Sequence, residues 1–220
     1  MKLYSRPLSP YSSLVRAVAY YKDVPLKILA PPAGFPIPDE FREVSPFGRV
    51  PVLITGSGET ILESAVIAEY LEERFPEPRL LPEDPRDRAI VRMFTRIAEL
   101  EVLTPTMQLF ELVSSPHRDE KRISDLFAKL ERGLAVLESR MVAGPFALGE
   151  HATFADAWLT PIRFIFNNFR HLTGRSDLLD PYPKFGSFES IALQHPVFSR
   201  VWYEMADGLE VFLANWKSEE

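Results

Sequence analysis

Val52-Leu53-Ile54, Gly56-Ser57-Gly58, Thr60-Ile61-Leu62 and then Glu63-Ser64-Ala65-Val66-Ile67 form the stretch whose patterning decides the fold. Two short β-branched and apolar runs separated by a glycine-rich turn read as a hairpin. The next segment changes period: Ile67, Leu71 and Phe75 fall at i, i+4 and i+8, with Glu69, Glu72, Glu73 and Arg74 assigned to the wet side, which predicts an amphipathic helix. Working toward the N-terminus, a short helical turn is expected near Phe41 to Val44, after an irregular proline-rich excursion from Ala30 to Pro38. Leu26 to Leu29 reads as a strand, and Lys2 to Ser5 as another. Between those two strands Ser9-Pro10 opens a helix running through Tyr21, with serine as N-cap and proline at the first helical position. The resulting order is β-α-β-(α)-β-β-α.

Downstream, Pro76, Pro78, Pro82 and Pro85 deny backbone donors and mark a linker. Beyond it nearly every segment has a period near 3.6, and helices are expected near Arg86 to Val113, Asp119 to Met141, Phe154 to His171, Phe188 to Leu193 and Val197 to Trp216. Pro105 is expected to kink the first of these. Thr153-x-x-Asp156 has the form of a capping box. The organisation is therefore an α/β domain over 1–76, a linker over 77–86 and an all-α domain over 87–220.

Composition excludes several classes. With 46% hydrophobic and 25% charged residues the chain is globular rather than disordered. A formal charge of -6 without a basic block argues against nucleic acid as a partner. No apolar run approaches a membrane span, and Met1-Lys2-Leu3-Tyr4 does not open a secretory signal, so a cytoplasmic protein with no membrane partner is expected. The absence of cysteine removes disulfides, thiolate zinc sites and a protein thiol nucleophile. His117, His151, His171 and His195 show no ligand spacing, so no metal is expected.

Three segments together resemble the cytosolic glutathione transferases. Pro46-Phe47-Gly48-Arg49-Val50-Pro51-Val52-Leu53 and Leu62-Glu63-Ser64-Ala65-Val66-Ile67-Ala68-Glu69-Tyr70-Leu71 look like that family's two glutathione-site motifs, and Thr153-Phe154-Ala155-Asp156-Ala157-Trp158 resembles its helix-capping motif. The resemblance implies a thioredoxin-like N-terminal domain that holds glutathione as co-substrate. It also implies an all-helical C-terminal domain that shapes a pocket for a small apolar electrophile, a role in detoxification, and a homodimer. Val50 would offer its backbone N–H and C=O to the peptide, Pro51 would be cis, and Ser64 with the helix N-terminus would seat the γ-glutamyl carboxylate beside Glu63. Arg49 would reach a carboxylate or stay solvated. The plainer roles are a trans proline at a strand entrance and a serine N-cap.

Ser9-Pro10-Tyr11-Ser12 resembles the glutaredoxin C-P-Y-C motif with oxygen in place of both sulfurs. Ser9 is the first candidate to donate a hydrogen bond to the glutathione sulfur; Ser12 and Tyr4 follow. N-capping is the alternative role for Ser9. The electrophile pocket implied by the family comprises Tyr11, Thr104, Met107, Phe110 and Trp158, residues whose helical spacing equally fits a core. Conjugation, lyase chemistry and isomerisation of the maleylacetoacetate or maleylpyruvate type all need only a bound thiolate. The isomerases' usual S-S-C motif is absent here, which counts against them. A binding module without catalysis is the third alternative.

Overall fold

The computed structural model describes residues 1–32, 38–113, 115 and 118–218. Most of the proline-rich excursion and His117 lie outside the described residues. Contacts divide the chain into two compact units, Met1–Arg79 with Pro196–Glu220, and Leu80–His195.

The first unit is built on β1 (Lys2–Tyr4), α1 (Pro10–Tyr21), β2 (Lys27–Leu29), a 3-10 turn (Asp39–Glu43), β3 (Val52–Ile54), β4 (Thr60–Leu62) and α2 (Ser64–Arg74). The sheet order is β2-β1-β3-β4, with β1 parallel to β2 and antiparallel to β3, and β3 antiparallel to β4. This is the thioredoxin-like arrangement. Strand alternation separates two apolar layers. Leu3 and its cross-strand partner Leu53 are fully buried, as are Leu14, Val15 and Val18 of α1 and Ile67 and Leu71 of α2. Tyr4 and Val52, the next pair along, join Phe41, Val50, Ile54 and Leu62 in the other layer. Gly58 turns the hairpin at φ +96°, a left-handed value that glycine takes without a Cβ clash.

One residue of α2 departs from the expected pattern. Glu72 is buried rather than wet, because Lys22 at the end of α1 reaches it at 2.5 Å and also donates to the carbonyls of Phe75 (2.8 Å) and Pro78 (2.9 Å). All three ammonium protons are thereby used where α2 ends and its carbonyls lack intrahelical donors.

The last helix, α8 (Pro196–Ser218), groups with this first unit rather than with the helices preceding it, unlike the expected division at 87–220. Three contacts account for it. Phe198 stacks on Tyr21 with centroids 6.3 Å apart, Glu204 pairs with Arg16 of α1 at 2.8 Å, and a Cβ on Gly208 would lie 2.9 Å from the Leu8 nitrogen.

The second unit contains α3 (Pro85–Ile97), α4 (Thr104–Val113), α5 (Glu120–Arg140), α6 (Phe154–Thr173) and α7 (Pro183–Gln194). The interruption expected at Pro105 takes the form of a π-helical turn over Ala98–Leu103. Proline has no N–H for the Glu101 carbonyl, and the widened turn lets the Thr104 N–H and hydroxyl both reach the Glu99 carbonyl, the latter at 2.9 Å. The freed Glu101 carbonyl lies against Gly133 of α5, where an added Cβ would sit 2.4 Å from it. Gly133→Ala is therefore expected to cost about 1–3 kcal/mol by overpacking, read as a lower denaturation midpoint with unchanged slope.

The start of α7 at Pro183, earlier than the expected Phe188, has a non-local cause. The Glu138 carboxylate of α5 accepts from the N–H groups of Lys184 (3.0 Å) and Phe185 (2.9 Å), capping the first turn. The capping box of α6 is formed: Thr153 Oγ1 accepts from the Ala155 N–H, and Asp156 accepts from the Thr153 N–H.

Burial pushes the Asp156 carboxyl up to about 6, while the amides of Ala147 and Thr153 and the Thr153 hydroxyl hold it from rising further. The folded state thus binds this proton more tightly than the unfolded state. The resulting stability is full below the ordinary value of 3.8 and is lost as pH rises through about 6. Unfolding at a series of pH values should show a downward slope in that window worth up to about 3 kcal/mol, which Asp156→Asn flattens.

Candidate active site

The strand register brings three loops to one end of the sheet. Tyr4 pairs with Val52 and Val52 with Leu62, so the exit of β1, the entrance of β3 and the exit of β4 lie side by side. From these ends lead the loop to Ser9 and α1, the Val50–Pro51 segment, and Glu63–Ser64 at the start of α2.

Ser9 is half-buried and caps α1, its Oγ accepting from the Ser12 N–H at 3.3 Å with extended backbone angles. A hydroxyl that accepts through a lone pair keeps its own proton to donate elsewhere. Ser12 is 0% exposed and its Oγ has no partner among the described residues, so that hydroxyl is closed to solvent. Tyr4 packs its ring edge-on against Phe41 at 5.0 Å in the apolar layer.

The entrance to β3 is shaped by Ser45. Its Oγ donates to the Arg49 carbonyl (2.7 Å) and accepts from the Arg49 N–H (2.9 Å), while Gly48 occupies φ +62° and bonds back to the Ser45 carbonyl. Arg49 itself is exposed. The Val50–Pro51 bond is cis, as expected. No turn, loop or cap hydrogen bond engages the Val50 backbone among the described residues, which leaves its donor and acceptor unspent just before β3.

At the start of α2, Glu63 is held at φ 68°, ψ 119°, a backbone conformation rare for a residue with a side chain. Ser64 is 5% exposed and follows it as the first helical residue. No acidic side chain occupies that first turn and no side chain caps it, so its orphan amides and the positive end of the helix dipole remain available to an anion. Two helix N-termini and an unpaired backbone segment at a single sheet end suit a short peptide carrying a carboxylate.

The residues expected to line a second pocket divide between the units. Tyr11 belongs to the first and is half-buried. In the second, Met107 and Phe110 are partly exposed on α4, and the Thr104 hydroxyl is committed to the Glu99 carbonyl. Trp158 is buried against Phe154, centroids 5.4 Å apart, and is a core residue of α6. Among the described residues there is no group of three or more His, Asp or Glu side chains that could hold a metal ion. Nor is any helix among them long and apolar enough to cross a membrane.

Arg16, an arginine that composition suggests as a partner of the chain's many acids, pairs with Glu204. Its guanidinium is buried beside the Ser9 loop and donates to the carbonyls of Arg6 (3.0 Å) and Pro7 (2.8 Å). An arginine amid the apolar run Leu14-Val15-Arg16-Ala17-Val18 was the available signal.

Known proteins resemble this chain over most of its length. Residues 3–79 match the model of the glutathione S-transferase N-terminal domain. The chain is 29% identical over 208 residues to glutathione S-transferase Z2 of Arabidopsis thaliana, covering 90% of this chain and 88% of that protein. It is 32% identical over 187 residues to a probable maleylacetoacetate isomerase 2 of Drosophila melanogaster, covering 82% and 78%. A solved structure of maleyl pyruvate isomerase, a bacterial Zeta-class glutathione S-transferase, superposes with a TM-score of 0.75 at 27% identity over 91% of this chain and 96% of that one.

Proposed function

The chain belongs to the glutathione S-transferase family, and from that premise we propose that it is a glutathione-dependent isomerase of a cis double bond conjugated to carbonyl groups, of the maleyl type. The supporting observation is the convergence of the Ser9 hydroxyl, the Val50 backbone and the α2 N-terminus at one sheet end. The choice of isomerase draws on the relatives from Drosophila and from the bacterial Zeta class.

In this reading Val50 pairs with the peptide backbone of glutathione, Pro51 keeps that edge open, and Ser64 with the first-turn amides of α2 binds the γ-glutamyl carboxylate. Glu63 takes the ammonium beside it, and Arg49 reaches toward the glycyl carboxylate. The Ser9 hydroxyl donates a hydrogen bond to the sulfur and so favours its thiolate form, the thiol proton passing to solvent. A free thiol ionises near about 8.5, so a gain of roughly two units requires about 2.7 kcal/mol of preference for the thiolate, within reach of one hydroxyl donor plus a helix N-terminus. The thiolate then adds to one alkene carbon and its electrons pass to the conjugated carbonyl as an enolate. Rotation about the new single bond follows, and the enolate expels the thiolate to leave the trans alkene. Glutathione is recovered, and no protein thiol is needed. The missing S-S-C motif therefore removes nothing the reaction requires.

Conjugation of an apolar electrophile is the second reading, favoured by the partly exposed Met107 and Phe110. Glutathione accounting separates the readings. Incubation with a cis maleyl substrate and substoichiometric glutathione should convert all substrate with glutathione recovered. Mole-for-mole loss of glutathione to an aryl halide, with the maleyl compound untouched, would establish the transferase. Binding without either reaction would mark a non-catalytic module. The active form is a homodimer in this account, and a monomer in sedimentation at micromolar concentration would count against that part.

A further inference from the structure

We propose that Arg16 and Glu204 are positioning residues for Ser9, forming a clamp through which the last helix fixes the loop that presents the Ser9 hydroxyl. This rests on the reading that Ser9 serves the glutathione sulfur. The Arg16 guanidinium is 2% exposed and all five of its N–H groups are matched. Nη1 donates to Ser5 Oγ (2.6 Å) and the Arg6 carbonyl (3.0 Å), and Nη2 to the Pro7 carbonyl (2.8 Å) and Ser13 Oγ (2.9 Å). Nε donates to Glu204 Oε2 (2.8 Å). Three of these acceptors lie within Ser5–Pro7. The fourth, Ser13 Oγ, itself lies 2.8 Å from the Ser9 carbonyl as its donor. The fork is thus spent almost entirely on the loop that ends at Ser9.

Glu204 closes the clamp from α8. Its Oε1 accepts from the Tyr20 hydroxyl (2.9 Å) and from Arg200 Nε (3.2 Å), and Arg200 lies 3.7 Å over the Tyr20 ring. Burial, with Glu204 beside it, pushes the Tyr20 phenol up to about 12, so it remains a donor. On another side of the loop, Gly208 leaves no room for a Cβ against Pro7 and Leu8. An open pocket of about 320 Å³ adjoins the clamp, its lining including Pro7, Arg16, Tyr20, Ile28, Ala30 and Glu204. Orientation of a donor to within tenths of an ångström is what a thiolate site requires.

The test is a pH titration of the ultraviolet thiolate band of bound glutathione in wild type, Ser9→Ala, Glu204→Leu and Glu204→Gln, with glutathione affinity and Tm measured alongside. Glu204→Leu should raise the thiol pKa by about 0.5–1 unit, less than Ser9→Ala, with about 3- to 10-fold slower turnover and glutathione Kd changed less than about twofold. Glu204→Gln, which keeps an acceptor for Arg16, should recover at least half of the shift. Should Glu204→Leu fail to fold, Tyr20→Phe removes one bond to the same carboxylate and should give a smaller shift of the same sign. An unchanged thiol pKa with a lowered Tm would make the clamp purely structural and overturn the proposal. A lowered thiol pKa would also overturn it, showing that the uncompensated Arg16 charge acts through its field. If Ser9→Ala itself leaves the titration unmoved, the Ser9 reading fails and the clamp proposal with it, a result distinguishable from failure at Glu204 alone.

Discussion

Ser9→Ala is expected to slow turnover by about 10- to 100-fold and to raise the pKa of bound glutathione by one to two units, roughly 1.4 kcal/mol per unit of lost preference for the thiolate. The loss should be largest near neutral pH and shrink as pH rises past the free-thiol value, where the sulfur ionises without help. Glutathione affinity should change little, because Val50 and the α2 amides supply separate contacts in this account. The variant also removes the α1 N-cap, worth about 1 kcal/mol of stability. A thermal melt on the same samples separates that structural cost from the kinetic one. Ser12→Ala, at a hydroxyl sealed from solvent, should leave the pH profile unchanged. Tyr4→Phe keeps the ring packed on Phe41 and should do the same. A Ser9→Ala enzyme with wild-type turnover and titration would remove Ser9 from the mechanism.

Lys22→Met should produce the largest loss of stability, about 3–5 kcal/mol, because it leaves Glu72 buried without its cation and strips a donor from two carbonyls at the end of α2. Methionine preserves the volume, so the loss reports the ionic and hydrogen-bonding role rather than a cavity. Adding Glu72→Leu should recover a substantial part, since an apolar pair costs less than a single buried charge. Chemical denaturation of the two single variants and the double variant measures the coupling. A Lys22→Met protein within about 1 kcal/mol of wild type would show that solvent reaches Glu72 readily and that the buried pair is energetically minor.

These two residues illustrate what could be read from the sequence. The hairpin around Gly58, the Ser9-Pro10 helix start and the Thr153–Asp156 box were legible because each signal sits within a few residues of the backbone it controls. The candidate residues at Ser9, Val50, Pro51 and Ser64 came from motifs, and their grouping at one sheet end follows from the register of only three short strands. Long-range pairings left no such trace. Glu72 looks like one more acid on a wet helix face until Lys22, fifty residues earlier in the chain, is brought beside it. Arg16 and Glu204 are separated by 188 positions, and that contact helps assign α8 to the first unit. The early start of α7 depends on Glu138 from another helix. The π turn before Pro105 reflects where the proline-freed Glu101 carbonyl meets Gly133, a tertiary event that helical periodicity cannot anticipate.

The most direct check of the central claim is the ionisation of glutathione held by the unmodified protein, followed by its ultraviolet thiolate band from acid to alkaline pH. The account predicts saturable binding and a sulfur that ionises about two units below its free value of roughly 8.5. Absence of binding, or ionisation at the free value, would contradict it.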